Sequence, residues 1–364
     1  MKIAFDAKRA YNNLTGLGNY SRSVINSISK IRKKDIFYLV TTSTNNKIYN
    51  INQPNIRLLK PKKITNKNYW RFNGVNKQLN NEEIDIYHGL SNEIPYNLKS
   101  KSIVTIHDLL FLKYPQFYNY IDRNIYNIKS KLACQKSDKI IATSIQTKKD
   151  IIKYYKIKEN KIKVIYQSCQ KEFKYSSQNI IKDISLKEKL KSPFLLYVGT
   201  IEERKNLLFL LKAIKKLKNI KLICIGKKGK YYNKIIKYID DNKLYDKISF
   251  LNISDSKTLA SIYKLSRGLI FPSIDEGFGI PIIEAMFSKI PVLTSNKAIF
   301  KEIGGNQSYY FEEGKLDSLI ELINEIWTDS NDRDKRIEYN FRYVQQFNEE
   351  QQAENIINLY KEII

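Results

Sequence analysis

The chain has 364 residues, of which 42% are hydrophobic and 12% aromatic, so its composition excludes a wholly disordered protein. The length suggests two domains, and the absence of any run of about 18 apolar residues excludes a membrane-spanning helix. A formal net charge of +26 indicates either a codon bias toward lysine or an anionic partner. Three widely spaced cysteines exclude a disulfide framework and favour a reducing, cytoplasmic compartment.

Short apolar runs alternate with helical patterns along the chain, which predicts parallel sheets covered by helices on both faces. A polar stretch near residues 170–190 interrupts the pattern, and Ser176-Ser177-Gln178-Asn179 within it is the predicted linker. The predicted strands before the interruption are residues 2–6, 37–41, 85–87, 102–106, 139–142 and 163–165. Those after it are residues 194–198, 221–225, 248–251, 268–271 and 291–294.

The restart of the pattern predicts two doubly wound domains, residues 1–185 and residues 186–346. Such a pair forms a cleft, because ligands bind outside the carboxyl ends of the strands in this kind of sheet. Residues 347–364 form a separate final segment with a helical pattern. Its apolar side chains share one face: Ile356, Ile357, Tyr360 and Ile363.

The most informative motif is Glu276-Gly277-Phe278-Gly279-Ile280-Pro281, which follows a predicted strand and enters a helix. Its glycines let a ligand approach the backbone, Pro281 suits the first helical turn, and the helix N-terminus favours an anion. Glu284 lies eight residues after Glu276 among apolar neighbours, unlike a solvated glutamate. Because a carboxylate accepts hydrogen bonds from vicinal hydroxyls, this spacing suits hydroxyl-rich groups on either side of a phosphate.

This motif, read as Glu276-x7-Glu284, resembles the signature of the retaining glycosyltransferases of family 4. The resemblance implies the GT-B fold: an α/β chain with two Rossmann-like doubly wound domains facing a cleft. It further implies that the N-terminal domain binds the acceptor, that the C-terminal domain binds the nucleotide sugar, and that residues 347–364 cross back to the N-terminal domain. In the donor site it assigns the sugar to Glu276 and the ribose to Glu284, with further contacts from Gly277, Phe278, Gly279, Ile280 and Ile253.

A second motif, Gly199-Thr200-Ile201-Glu202-Glu203-Arg204-Lys205, follows the first predicted strand of the second domain. Arg204 and Lys205 stand at a predicted helix start, where the helix dipole disfavours cations and a bound diphosphate would relieve the conflict. The alternative is two solvated cations in a basic chain. The run is similar to the diphosphate clamp of a mannosyltransferase-like branch of the family. The resemblance makes Arg204 and Lys205 catalytic and places Gly199 at the donor, although many members carry Arg where this chain has Thr200.

Two features of the N-terminal half are also candidates. Gly16 and Gly18 follow the first strand but lack the third glycine of a nicotinamide-binding fingerprint. They are similar to the N-terminal glycine loop of the family, a plain surface turn being the alternative. His107 ends a predicted strand and resembles the family residue that holds the donor sugar near its anomeric carbon, which would make it catalytic. The other histidine, His88, suits structural packing at a turn.

We expect no metal and no tightly bound cofactor. The one Asp-x-Asp sequence, Asp332-Arg333-Asp334, lies in a charged helical stretch typical of a solvated face. The resemblance makes a nucleotide-diphosphate sugar the donor substrate: GDP-mannose is favoured, and UDP-sugars remain open. The expected acceptor is a saccharide or a lipid-linked saccharide.

The positive charge is concentrated in the N-terminal half. Residues 1–185 contain 34 Lys and Arg against 13 Asp and Glu, a net +21, whereas residues 186–364 contain 29 against 24, a net +5. Basic runs such as Lys60-Pro61-Lys62-Lys63, with tyrosines in residues 114–126, favour peripheral binding to an anionic membrane surface on the cytoplasmic face. A nucleic-acid-binding protein is the alternative from another functional class. It would leave Glu276 and Glu284 unexplained, and the sequence contains no recognised nucleic-acid-binding motif. A sugar epimerase of the same fold stays open, and a phosphorylase would need a pyridoxal lysine.

Overall fold

The computed structural model describes residues 1–61, 66–175, 183–253 and 255–364. Their contacts divide the chain into two compact units, which we call unit 1 (Met1–Ser168 with Phe347–Ile364) and unit 2 (Cys169–Gln346). The predicted linker at residues 176–179 lies outside the described residues, as do Lys62 and Lys63 of the basic run. Within the described ranges, no helix combines the length and the hydropathy needed to cross a bilayer.

Unit 1 is built on a parallel sheet of seven strands. The strands are β1 (Lys2–Asp6), β2 (Ile36–Val40), β3 (Ile56–Leu59), β4 (Ile86–Gly89), β5 (Lys101–Ile106), β6 (Lys139–Ala142) and β7 (Ile162–Val164). Their order is β3-β2-β1-β4-β5-β6-β7, so the direction of winding reverses between β1 and β4. Its helices are α1 (Lys8–Asn12), α2 (Gly16–Ile31), α3 (Lys67–Tyr69), α4 (Asn76–Asn81), α5 (Leu110–Lys113), α6 (Tyr120–Lys136), α7 (Ile145–Tyr155) and α17 (Glu349–Lys361).

Unit 2 repeats this architecture with a parallel sheet of six strands. The strands are β8 (Leu195–Val198), β9 (Leu222–Ile225), β10 (Ile248–Leu251), β11 (Gly268–Phe271), β12 (Val292–Ser295) and β13 (Tyr309–Phe311). Their order is β10-β9-β8-β11-β12-β13, so this sheet reverses between β8 and β11. Its helices are α8 (Lys171–Tyr175), α9 (Ile184–Lys189), α10 (Leu207–Lys216), α11 (Tyr232–Asp241), α12 (Ser256–Leu265), α13 (Ile280–Phe287), α14 (Ala298–Gly304), α15 (Leu316–Trp327) and α16 (Asn331–Tyr343).

The two sheets confirm the predicted α/β class with two doubly wound units. Every predicted run forms a strand within two residues of its predicted bounds. Two edge strands were not predicted. In β3 the side chains of Arg57 and Leu58 are exposed, so the strand has no continuous apolar run, and β13 is only three residues long.

The C-terminal helix α17 belongs to unit 1, as the GT-B resemblance implies. Its apolar face, including Ile356 and Tyr360, enters the same core as Ile3 and Phe5 of β1. The Tyr360 hydroxyl also hydrogen-bonds Nδ1 of the fully buried His88 at 2.6 Å. The other ring nitrogen of His88 bonds the Thr105 hydroxyl at 2.9 Å, and burial lowers the His88 pKa to about 3. His88 is therefore a neutral core residue that ties α17 to the sheet.

This tie predicts a specific loss of stability. Tyr360→Phe leaves one buried nitrogen of His88 without its partner, and we expect the free energy of unfolding of unit 1 to fall by about 1–3 kcal/mol. Urea unfolding followed by Trp70 fluorescence, in a Trp327→Phe background, measures this change for unit 1. The exposed Tyr120→Phe, also in unit 1, is the matched control and should change stability by less than about 0.5 kcal/mol. Equal effects of the two substitutions would contradict the tie.

Candidate functional site

The candidate donor site lies where β8 and β11 of unit 2 end side by side. After β8 the chain passes through Gly199 into a short 3₁₀ turn at Glu203–Lys205, and Asn206 in the left-handed conformation (φ 57°) starts α10. After β11 it enters the loop that carries Glu276. Because the carboxyl ends of parallel strands share one edge of the sheet, the two loops meet. A hydrogen bond from the Ile274 N–H to the Arg204 carbonyl, at 2.9 Å, joins them.

Three donors converge on one oxygen of the Glu276 carboxylate. Lys205 Nζ and Ser273 Oγ each lie 2.5 Å from Oε1, and Arg204 Nη1 lies 3.1 Å from it. Arg204 is fixed further, since Nη1 donates to the Asp275 carbonyl at 2.6 Å and Nη2 pairs with Glu202 at 2.7 Å. Within the described part of the chain, nothing bonds Oε2 of Glu276. The structure thus brings the predicted clamp and the predicted sugar-binding glutamate together, with one carboxylate oxygen left for a further partner.

The charges of this cluster fix the state of the glutamate. Burial alone would raise the pKa of Glu276, but Lys205 and Arg204 outweigh it and lower that pKa to about 2. The carboxylate is therefore ionised at neutral pH, where it serves only as a hydrogen-bond acceptor. The side chains of Lys205, Arg204 and Glu276 are 15%, 13% and 12% exposed, so water screens their interactions only weakly.

Glu284 lies in a different environment from Glu276. It sits in the middle of the apolar helix α13, and its Oε2 accepts a hydrogen bond of 2.8 Å from the Tyr263 hydroxyl of α12. Burial raises the pKa of Glu284 to about 7, and the bond from Tyr263 offsets only part of this effect. The structure does not bring Glu284 into the Lys205 cluster, and its carboxyl is a buried acceptor that changes charge near neutral pH.

Two glycines have conformations or contacts that exclude a side chain. Gly279 caps α13 with φ 116°, in the left-handed region that L-residues rarely adopt. Gly226 follows β9, and a Cβ there would lie 1.8 Å from the Gly199 carbonyl oxygen. The loop after β8 therefore packs directly on the backbone of its neighbour. Of the other predicted donor contacts, Phe278 is buried, and Gly277, Ile280 and Ile253 are half-buried in loops or helix starts at strand ends.

The remaining predicted residues belong to unit 1. His107 directly follows β5 and is 5% exposed. Its Nε2–H donates to the Leu90 carbonyl at 2.9 Å, and burial lowers its pKa to about 4. The ring is thus neutral, with Nδ1 as an acceptor. Gly16 and Gly18 lie in the first turn of α2 and do not form the predicted loop. Part of the stretch between β1 and α2 that the sequence predicts to be a loop is the short helix α1. A Cβ on Gly18 would lie 1.8 Å from the Asn13 carbonyl oxygen, which gives this glycine a packing role.

Ser273 and Tyr263 bond the two predicted glutamates, but no sequence pattern identifies either residue as a partner. Ser273 lies three residues before Glu276 in a loop that the motif already marked, but its bond to the carboxylate depends on the loop conformation. Tyr263 is separated from Glu284 by 21 residues and lies on another helix. Asp332, in the predicted solvated pair, lies in the first turn of α16 and bonds Arg336 at 2.6 Å.

The sequence profiles of two known families match successive parts of the chain. The profile described as Glycosyltransferase Family 4 matches residues 31–169, and the one described as Glycosyl transferases group 1 matches residues 179–343. The chain belongs to glycosyltransferase family 4. The assignment agrees with the Glu276-x7-Glu284 motif and the two doubly wound units.

Two curated relatives of this family member are mannosyltransferases by name. It is 29% identical to the O-antigen chain mannosyltransferase RfbU of Salmonella typhimurium over 227 residues, which are 61% of each chain. It is 27% identical to the O-antigen chain mannosyltransferase B of Escherichia coli over 283 residues, which are 76% of this chain and 74% of that one. The match thus spans less than two thirds of the Salmonella relative.

Solved structures of similar fold are GT-B glycosyltransferases. Sucrose-phosphate synthase from Thermosynechococcus elongatus superposes with a TM-score of 0.79 at 19% identity, covering 100% of this chain and 98% of that one. Anabaena HepE in complex with UDP-glucose gives a TM-score of 0.77 at 15% identity, covering 100% of both chains. At these identities the likeness establishes the GT-B fold.

The raised pKa of Glu284 predicts a pH-dependent stability. The folded pKa near 7 lies above the ordinary glutamate value of 4.5, so the folded state binds more protons than the unfolded state between these values. The free energy of unfolding of unit 2 should therefore fall as the pH rises from 5 to 8, by about 2–3 kcal/mol from this group. Glu284→Gln should remove that decrease.

Chemical unfolding at pH 5, 6.5 and 8, followed by Trp327 fluorescence in a Trp70→Phe background, measures this dependence. The exposed Glu321→Gln in α15 is the matched control and should keep the slope of the parent protein. A Glu284→Gln protein that lost as much stability on going to pH 8 as the parent would exclude Glu284 as the source.

Proposed function

We propose that the chain is a retaining hexosyltransferase that moves a hexose from a nucleotide-diphosphate sugar to a saccharide or lipid-linked saccharide in glycan assembly. The favoured donor is GDP-mannose, because both relatives described above carry mannosyltransferase in their names. A UDP-sugar is the second candidate, supported by the likeness in fold to a protein solved with UDP-glucose. The observation that carries the proposal is the Glu276 carboxylate held between Lys205 and Arg204 at the carboxyl ends of β8 and β11.

The proposed chemistry follows from where charge develops. Departure of the nucleotide diphosphate puts negative charge on its phosphate oxygens, and two cations fixed in advance stabilise that charge at no cost of reorganisation. Lys205 has three donors, so it can keep its bond to Glu276 and still bind a phosphate oxygen, while Arg204 adds a second positive charge beside it. The N-terminus of α13 adds a partial positive charge.

The donor sugar would bind the glutamates on either side of the diphosphate. Ionised Glu276 offers Oε2 to sugar hydroxyls, and Glu284 accepts hydrogen bonds from the ribose. We propose a front-face displacement, in which the leaving phosphate accepts the proton of the attacking hydroxyl, as the family resemblance implies. Neutral His107 has no charge to add and would position the sugar through the acceptor nitrogen Nδ1.

The clamp assignment predicts a selective loss of rate. Lys205→Ala removes one of two fixed cations, and Glu276→Gln removes the charge that holds them, so each should lower kcat at least about 100-fold. The first measurement is transfer and donor hydrolysis with a panel of GDP-mannose, UDP-glucose, UDP-galactose and their N-acetyl derivatives. Circular dichroism should be unchanged in both variants.

The control for this experiment is Lys212→Ala, which removes an exposed lysine from α10, the helix that follows the clamp. It should keep the kcat of the parent enzyme. Near-normal transfer by purified Lys205→Ala or Glu276→Gln would exclude the clamp. Turnover of UDP-sugars but not GDP-mannose would replace the proposed donor with the second candidate.

We further propose that unit 1 binds an anionic membrane surface on the cytoplasmic side, through α6. Five large apolar side chains of this helix are exposed, and the opposite face buries Ser130, Ala133 and Cys134 against the unit: the exposed side chains are Tyr120, Ile121, Ile125, Tyr126 and Ile128. Ile121, Ile125 and Ile128 follow the i, i+4, i+7 spacing of a single stripe. An exposed apolar stripe of this kind marks an interaction surface.

The charges of α6 favour lipid over a neutral partner. Besides Lys129, which is paired with Glu93, the helix contains Arg123, Lys131 and Lys136 against one acid, Asp122. Each basic residue near an anionic membrane surface contributes about 1 kcal/mol, and isoleucine side chains add apolar burial in the interface.

Vesicle sedimentation tests this surface. Vesicles of phosphatidylglycerol and phosphatidylcholine should bind the protein, and replacing Ile121, Ile125 and Ile128 by serine should lower the bound fraction at least tenfold. The matched control replaces three exposed apolar side chains of unit 1 outside α6 by serine: Leu14, Ile31 and Leu58. Binding that persists in the α6 variant, or that is equal on pure phosphatidylcholine, would contradict the proposal.

A further inference from the structure

A second polar cluster lies where the sheet of unit 1 reverses. Asp6 is the last residue of β1, Glu93 follows β4, and Arg71 comes from a π-helical turn at Trp70–Gly74. Arg71 Nη2 bonds Asp6 Oδ2 at 3.0 Å and also Glu93 Oε1, while Lys129 Nζ donates to Glu93 Oε2 at 3.2 Å. In open α/β sheets, ligands bind in the crevice at such a reversal.

This cluster is costly for the fold alone. The side chains of Asp6, Arg71 and Glu93 are 3%, 11% and 21% exposed, so three charges are largely removed from water. Burial alone would raise the pKa of Glu93, but Arg71 and Lys129 lower it, so the carboxylate stays ionised. Buried ion pairs of this kind contribute little net stability compared with apolar residues of the same size. Their presence at a sheet reversal therefore indicates binding.

The cluster borders a cavity of about 30 Å³, which is lined by Asp6, Arg71, Glu93 and Lys129 together with Tyr87 and Phe72. A space of this size holds one or two water molecules, and hence one hydroxyl group of a larger ligand. The rest of that ligand must lie outside the cavity, against the surface around its mouth.

That surface carries an exposed aromatic pair. The rings of Phe72 and Tyr96 stack with centroids 5.5 Å apart and planes within 9°, and they are 42% and 36% exposed. The Tyr96 N–H donates to the Phe72 carbonyl at 2.6 Å, which holds the two loops together. Phe72 follows Arg71 directly and lines the same cavity as the charged cluster, so the aromatic pair lies beside that cavity. Exposed aromatic rings offer apolar area to a flat partner.

We propose that this surface is the acceptor subsite and that it binds a neutral hexose unit. One hydroxyl would enter the cavity and bond Asp6, Arg71 or Glu93, while the C–H face of the ring packs on Phe72 and Tyr96. An anionic group such as a diphosphate suits the site less well, because Arg71 and Lys129 are already paired with the two carboxylates. The inference rests on the proposed function only in supposing that the acceptor is a saccharide.

Binding of free sugars tests the subsite without any transfer reaction. Trp70 lies two residues before Phe72 and, in a Trp327→Phe background, is the single tryptophan of the chain. Mannobiose, maltose, lactose and chitobiose, added without donor, should include at least one sugar that changes Trp70 emission with saturation. Saturation-transfer NMR on the same panel gives a second, label-free readout. Inorganic pyrophosphate serves as the anionic probe.

The expected effects distinguish this site from the donor site. Phe72→Ala and Glu93→Gln should each weaken sugar binding at least tenfold and raise the acceptor KM, with the donor KM and donor hydrolysis unchanged. Tyr69→Ala, which removes an exposed aromatic ring from outside the cavity lining, should have no effect.

The outcomes separate the two proposals. No binding of any panel sugar by both readouts, or binding of pyrophosphate alone, would overturn the subsite even if transfer is active. Sugar binding that depends on Phe72, in a protein that transfers nothing, would support the subsite and contradict the proposed reaction.

Discussion

The reversal of strand order in each parallel sheet is the constraint on which both polar clusters depend. The right-handed crossovers wind to one side of β1 and of β8 first, and the chain then continues on the other side with β4 and β11. Where the winding changes direction, a gap opens above the ends of the two neighbouring strands. The loops that follow these strands project into that gap. In unit 2 they bring Lys205 to Glu276, and in unit 1 they bring Asp6 to Glu93 through Arg71.

The two clusters pair cations with carboxylates in different ways. In unit 2, two cations share one oxygen of Glu276, and one of them also pairs with Glu202. In unit 1, Arg71 bridges Asp6 and Glu93, and a lysine binds the second oxygen of Glu93. Neither arrangement is an efficient way to stabilise a fold, since each removes charges from water. Each is instead a preorganised polar surface at the carboxyl ends of two neighbouring strands.

The strands that are buried on both faces of a sheet can be predicted from the sequence alone. Runs such as Phe194–Val198 are apolar because helices cover both faces of a parallel sheet, whereas the edge strand β3 has two exposed positions and gave no run. The Glu276 loop was recognisable because its glycines and proline fit only a few backbone conformations. Its partners Ser273 and Tyr263 depend on tertiary contacts, as does the pairing of Arg71 with Asp6 across 65 residues. No local pattern marks such contacts.

The position of α17 has a consequence for the synthesis of the chain. The core of unit 1 contains Ala353, Ile356 and Tyr360, which the ribosome adds only after every residue of unit 2. Domains generally fold in the order in which they are synthesised, but unit 1 cannot complete its core until α17 has been synthesised. Until then β1 exposes part of its apolar face, and His88 lacks its hydroxyl partner. Unit 2 can therefore complete its fold first, and the N-terminal part of the chain is the part most in need of a chaperone during translation.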